Sequence, residues 1–196
     1  MSGALPSPRC LRLADRPAQS WRNGGGVTHE LLAAPAGPWR WRLSVATIAA
    51  DGPFSAFPGV ERWFTVIEGH GVELALGGAP RALRLGDPPL RFDGAAAPGC
   101  RLLDGPTRDL NLMLRGVAGR LAVVRVDEDW APEAAQAGLL ARVACTVSAG
   151  AQRWAVPANS LLWFDAAPPR LQVHGDVDGG SAWWIAVDDD ARAAAP

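Results

Sequence analysis

Short apolar runs separated by scattered glycine and proline constrain this chain more than any other feature. The 196 residues include 22 Gly and 17 Pro, spread along the whole length rather than gathered in linkers. Runs of β-branched, aromatic and leucine residues read as strands over 27–33, 39–48, 63–68, 72–76, 81–85, 90–92, 101–103 and 110–115. In the second half they recur over 121–126, 140–147, 152–156, 160–164, 170–174 and 182–187. Such spacing is that of an all-β sandwich or barrel. A parallel α/β fold needs a helix of about ten or more residues between strands. Only the Ala-rich segment 133–140 reads as a helix here.

A weak internal repeat suggests duplication. Phe64-Thr65-Val66-x-x-Gly69 matches Cys145-Thr146-Val147-x-x-Gly150, and Gly86-Asp87-x-x-Leu90-Arg91-Phe92 resembles Ala158-Asn159-x-x-Leu162-Trp163-Phe164, in the same order. Two barrels in one chain would give this pattern, and so would chance similarity between β-rich segments. The expected division is 1–116, holding the ligand pocket, and 117–196, with a seam near Gly116 to Gly119 and a frayed tail from Asp188.

Composition excludes several functions. A net charge of −1 supplies no field for nucleic acid or an anionic membrane surface. All 19 basic residues are Arg and Tyr is absent, so lysine Schiff-base chemistry and a tyrosine acid or base are ruled out. Cys10, Cys100 and Cys145 form no CxxC pair and read as free thiols of a reducing compartment. No apolar run reaches signal-peptide or membrane-span length, so a cytoplasmic protein is expected. His29, His70 and His174 show no metal-ligand spacing, and no Ser sits in a G-x-S-x-G elbow. The expectation is therefore no metal and no cofactor.

Five segments carry chemistry. Trp21-Arg22-Asn23-Gly24-Gly25-Gly26-Val27-Thr28 joins a triple glycine to a guanidinium fork and an amide. The fork suits a carboxylate, although a plain loop would look the same. In Trp41-Arg42-Leu43-Ser44-Val45-Ala46-Thr47-Ile48, strand alternation puts Arg42 and Ser44 on one face, toward solvent or a lumen. Gly52-Pro53-Phe54-Ser55-x-Phe57-Pro58-Gly59 is a rigid, aromatic segment fit to hold a pocket edge. Arg62 follows it, sharing a face with Phe64 and Val66; either its head reaches water from an edge strand or, buried beside that apolar surface, it needs an anion. Asp93 precedes Gly94 as a turn residue, and Asp109, Asn111 and Met113 share a face.

Trp-Arg-Asn-Gly-Gly-Gly-x-Thr, Trp-Arg-Leu-Ser-x-Ala-x-Ile, Gly-Pro-Phe-Ser-x-Phe-Pro-Gly-x-x-Arg, Glu-Gly-x-Gly, Phe-Asp-Gly and Asp-Leu-Asn-x-Met occur in this order from Trp21 to Met113. Together they resemble the HutD/Ves family. The resemblance implies a bicupin, two cupin-like antiparallel β-barrels or sandwiches in one chain. It also implies an accessory or regulatory role in bacterial histidine utilisation, with N-formylglutamate, formiminoglutamate or urocanate as ligands. Cupins usually hold metal through strand histidines, and 62–69 has no histidine pair, so that chemistry is not carried over.

The expected site is Arg42 and Arg62 on a carboxylate, with Arg22 nearby. Asn23, Ser44 and Asn111 give neutral hydrogen bonds, Trp21 and Phe64 form the walls, and Asp93 and Asp109 orient the arginines. The partner is a small organic acid, not nucleic acid or membrane, with room for a homodimer. A binding protein is favoured over an enzyme. The rivals are a metal-independent enzyme using Asp93, Asp109 or Glu68 as general base, and a protein-interaction module.

Overall fold

A computed structural model describes residues 7–125, 128–177 and 180–189. The described chain is all-β. The strands of its first half are β1 (Arg9–Arg12), β2 (Ala18–Ser20), β3 (Gly26–Ala34), β4 (Trp41–Ile48), β5 (Gly52–Pro53), β6 (Glu61–Glu68), β7 (Val72–Leu76), β8 (Ala79–Leu83), β9 (Leu90–Asp93), β10 (Gly99–Leu102) and β11 (Thr107–Leu114). The second half adds β12 (Ala118–Val123), β13 (Gln136–Ala141), β14 (Cys145–Ala149), β15 (Gln152–Val156), β16 (Ser160–Phe164), β17 (Gln172–His174) and β18 (Ala182–Asp188). Helical residues among those described are confined to two 3-10 turns, Leu13–Asp15 and Gly94–Ala96.

Two compact units result. Arg16–Gly116 is one, and the other described residues, including β1, form the second. Residues 7–15, expected with the N-terminal domain, group with the second half instead: β1 pairs antiparallel with β16, placing Arg9 opposite Trp163. Four exposed or half-exposed residues, Arg-Cys-Leu-Arg, carry too little alternation to announce this edge strand.

Each unit is a pair of open sheets. In Arg16–Gly116 a six-stranded sheet, β2-β3-β4-β11-β6-β9, shares a core with a four-stranded one, β5-β10-β7-β8. Ile48, Phe64 and Val66 from the first meet Val72, Leu74, Leu83 and Cys100 from the second. The other unit combines β1-β16-β13-β18-β12 with β15-β14-β17. No sheet among the described residues closes into a barrel, so of the two expected forms the paired sheets take the sandwich. The order β4-β11-β6-β9 nevertheless matches β12-β18-β13-β16 position for position, and the hairpin β7-β8 matches β14-β15. Topology thus aligns β8 and β9 with β15 and β16, as the second repeat motif does. The first motif is one strand out of step: it aligned Phe64 on β6 with Cys145 on β14, whereas β6 corresponds to β13.

The expected helix over 133–140 is a strand from Gln136. Gly138 is paired on both sides, to Trp163 and to Ile185, and a Cβ there would lie 2.6 Å from the Trp163 ring. Sheet context overrides the helix propensity of Ala and Leu. At the expected frayed tail, Asp188 ends β18 and Asp189 is buried, while 190–196 lie outside the described residues. No helix among the described residues is long and apolar enough to cross a membrane.

Close backbone approach explains the third glycine of the Gly24–Gly26 run. A Cβ on Gly26 would lie 2.3 Å from the Thr47 carbonyl oxygen, whereas one on Gly25 would meet only the Asn23 side chain, at 3.3 Å. Urea titration should find Gly26→Ala destabilised by about 2 kcal/mol or more and Gly25→Ala by under about 1 kcal/mol. Equal losses would refute this assignment.

Candidate functional site

Antiparallel pairing assembles the site. On β11, Asn111 lies between Ser44 of β4 and Phe64 of β6, and Met113 lies between Arg42 and Arg62. Because alternate residues share a face, Arg42, Ser44, Ala46, Ile48, Asn111, Met113 and Arg62 open onto one cavity of about 800 Å³. Its rim is Trp21, Arg22, Asn23 and Thr28 on one side and the segment Pro53 to Phe57 on the other.

Local chemistry fixes both rims. Trp21 Nε1 donates to Thr28 Oγ1 at 2.8 Å, and Asn23 Oδ1 accepts from the Gly25 N–H at 3.0 Å, a local turn stabilised by the side chain. The Phe57 N–H donates to the Gly94 carbonyl at 2.8 Å, and the Gly94 N–H to the Val60 carbonyl at 2.7 Å. Asp93 caps that same turn, its Oδ1 accepting from the Ala95 N–H at 2.9 Å.

Arg62 is the centre of the cavity. The residue is only 7% exposed, yet no carboxylate among the described residues pairs with it. Nη2 donates to Asn111 Oδ1 at 2.7 Å, and Nε has no hydrogen-bond partner. Aromatic rings take the place of an anion: the guanidinium carbon lies 4.9 Å from the centroid of Phe54, 5.2 Å from Phe92 and 5.9 Å from Phe57. Burial, then the nearby Arg42 charge, pull Arg62 down to about 10, against a smaller upward pull from Asp109, so it is still a cation at neutral pH. One charge-assisted hydrogen bond contributes about 1.5–3 kcal/mol and each ring about 0.5–2 kcal/mol. An isolated buried ion costs several kcal/mol even after relaxation. Gain and cost are of similar size, so Arg62 can stay buried and charged without a paired carboxylate. Arg42 adds a second cation, its Nε 3.0 Å from Glu30 Oε2.

Asp109 lies on the same face, fully buried and absent from the cavity lining. Thr107 Oγ1 donates to its Oδ1 at 3.0 Å, and Oδ2 has no partner. Burial pushes the carboxyl up to about 8, with Thr107 and Arg62 pulling the other way, so at pH 7 it is mostly neutral. Neighbouring Cys100 is pushed up to about 12 by burial and then by Asp109 and Asp51. The lining therefore holds Arg22, Arg42 and Arg62 and no carboxylate.

Of the residues expected from sequence, Trp21, Arg22, Asn23, Arg42, Ser44, Arg62 and Asn111 line the cavity. Three do not. Phe64 is fully buried, packed on Phe54 at 5.6 Å, and Phe54 and Phe57 are the walls instead. Asp93 caps a turn, and Asp109 hydrogen-bonds Thr107 rather than an arginine. The groups that orient the arginines are Asn111 and Glu30. Glu30 escaped the sequence reading because nothing local shows that its carboxylate reaches Arg42, two positions along the neighbouring strand from its own register partner Ser44. Among the described residues, no three His, Cys, Asp or Glu side chains cluster as a metal site.

The sequence profile of the HutD family matches residues 13–181. The chain belongs to the HutD family. A Pseudomonas putida relative, an uncharacterized 21.2 kDa protein in the hutC 3' region, is 39% identical over 106 residues, 53% of this chain and 56% of that protein. Protein Ves of Cronobacter sakazakii is 34% identical over 126 residues, 63% of this chain and 70% of that protein. This HutD-family chain thus spans little more than half the length of the first of these relatives. A conserved protein of unknown function from Pseudomonas aeruginosa PAO1 superposes with a TM-score of 0.84 at 28% identity, over 94% of this chain and all of that one. HutD from Pseudomonas fluorescens SBW25 gives 0.77 at 28% identity, over 93% and 98%. A cupin 2 conserved barrel domain protein from Leptotrichia buccalis, TM-score 0.55 at 11% identity over 94% and 98% of the two chains, shares the fold alone.

The raised Asp109 carboxyl has a thermodynamic sign. Its folded value of about 8 exceeds its unfolded one, so its contribution to stability is full below the unfolded value and is lost as pH rises toward 8. Thermal midpoints should fall between about pH 5 and pH 8, at up to ~1.4 kcal/mol per pH unit. Asp109→Asn should flatten that slope; parallel profiles for the two proteins would contradict the assignment.

Proposed function

We propose that this chain is a cytoplasmic binding protein, accessory or regulatory in histidine breakdown, that holds a carboxylated intermediate in the Arg62 cavity through guanidinium groups rather than a metal. One observation carries the reading: Arg62 is buried against a neutral amide and aromatic rings and lines a cavity that, among the described residues, no carboxylate lines. N-formylglutamate, formiminoglutamate and urocanate are the guests to which family membership points, and the name of the Pseudomonas putida relative places that protein beside hutC. Arg62 and Arg42 take a carboxylate, Ser44 and Asn111 supply neutral hydrogen bonds, and Trp21, Phe54 and Phe57 exclude water. Micromolar binding needs about 8.2 kcal/mol, more than two charge-assisted bonds supply, so enclosure between the two rims is part of the reading.

The two units are read as copies of one cupin-like unit, of which Arg16–Gly116 carries the guest. Supporting this are the matched strand orders. The rival readings draw little support. Glu68, Asp93 and Asp109 are all absent from the lining, and Leu85 is the one large apolar side chain exposed among the described residues.

Calorimetry with the three acids and with histidine tests the proposal. At least one acid should bind, and Arg62→Gln should weaken it by roughly 10- to 150-fold, about 1.5–3 kcal/mol, with circular dichroism reporting an intact fold. No heat from any of the four would reject this class of guest.

A further inference from the structure

The reading of the cavity leaves Asp109 unused, although it is the most deeply buried ionisable group in this unit. It sits on β11 two residues from Asn111, the amide that holds Arg62. The ionisable groups around it come from several elements: Arg62 from β6, Arg42 from β4 acting on Arg62, Cys100 from β10, and Asp51, which acts on Cys100. Its other neighbours across the sheet are Ala46 and Val66. A charged Asp109 would add a buried negative charge near Arg62 without pairing with it, and would oppose a guest anion in the cavity. A neutral Asp109 leaves Arg62 with Asn111 and the aromatic rings alone.

We infer that Asp109 is a positioning residue that sets the charge of the site through Arg62, so that filling the cavity with a carboxylate is coupled to keeping or taking up a proton on Asp109. This rests on the reading of the cavity as a carboxylate site. The unpartnered Oδ2 is the oxygen that carries the proton, since Oδ1 already accepts the Thr107 hydroxyl. The sign follows from linkage. The free carboxyl titrates near 8, and a guest anion in the cavity adds negative potential and moves it higher. Affinity is therefore full at lower pH and falls as pH rises through this window, by at most about tenfold per pH unit.

The test is calorimetry with N-formylglutamate, formiminoglutamate and urocanate between about pH 6.5 and pH 9.5, in buffers of different ionisation heat, on wild type and Asp109→Asn. The guest's own ionisation cancels in the difference between the two proteins. Wild type should take up as much as one proton per guest above neutral pH and lose affinity as pH rises, while Asp109→Asn should bind with a flat profile. Thr107→Val gives an independent arm: removing the hydroxyl donor should move the fall in affinity to higher pH, an effect that mere structural support would not produce. Guest binding with the same pH profile in wild type and both variants overturns the coupling and leaves the carboxylate reading standing. Failure of all three acids to bind wild type at every pH overturns both.

Discussion

A guanidinium buried without a buried anion is the constraint around which the Arg16–Gly116 unit is organised. Water cannot reach Arg62 freely, and the protein offers it one amide oxygen and three aromatic faces. Those partners must be held rigidly, because cation–π attraction and a single hydrogen bond both weaken quickly when geometry drifts. The surroundings supply that rigidity. Phe54 and Phe57 sit on a proline-braced segment that hydrogen-bonds to the Gly94 turn, Phe92 lies opposite Arg62 on β9, and Asn111 is in the middle of a strand paired on both sides.

The second unit shows how much depends on that interior. Its strand order repeats that of the first, yet the positions facing its core carry Ala137, Leu139 and Ala141 on β13 and Ala182 and Trp184 on β18. Aromatic rings fill the space between its sheets: Trp130 stacks on Trp184 at 4.7 Å, and Trp154 meets Phe164 edge-on at 5.1 Å. Where the first unit puts arginine and asparagine on β6 and β11, the second puts small and aromatic groups on the matching β13 and β18. One topology therefore supports a polar cavity or an apolar core according to the residues at alternate strand positions.

Those alternate positions are also where sequence reading succeeded. Arg42 with Ser44, and Asn111 with Met113, were separable from their apolar neighbours because a strand's side-chain period of two is a local property. It failed where distant chain segments decide the outcome. Phe64 has the same periodicity as Arg62 but lies deeper, where the second sheet covers it. Asp93 and Asp109 carry the same group, yet one caps an exposed turn and the other is sealed from water and mostly uncharged. The repeat was visible, but its first half was matched one strand out of step, since short strands ending in glycine turns resemble one another.

By itself, the sequence determined the all-β class, the family, the proline-braced aromatic segment and the arginines that line the cavity. All of these follow from local periodicity, turn chemistry and residue type. Only the tertiary structure decided which arginine is buried, that Asn111 and Glu30 rather than the aspartates orient the cations, and that Asp109 lies beneath them nearly neutral. Burial and charge–charge distance depend on which strands become neighbours, and strand pairing between segments as remote as Arg62 and Asn111 is not encoded in the residues flanking either one.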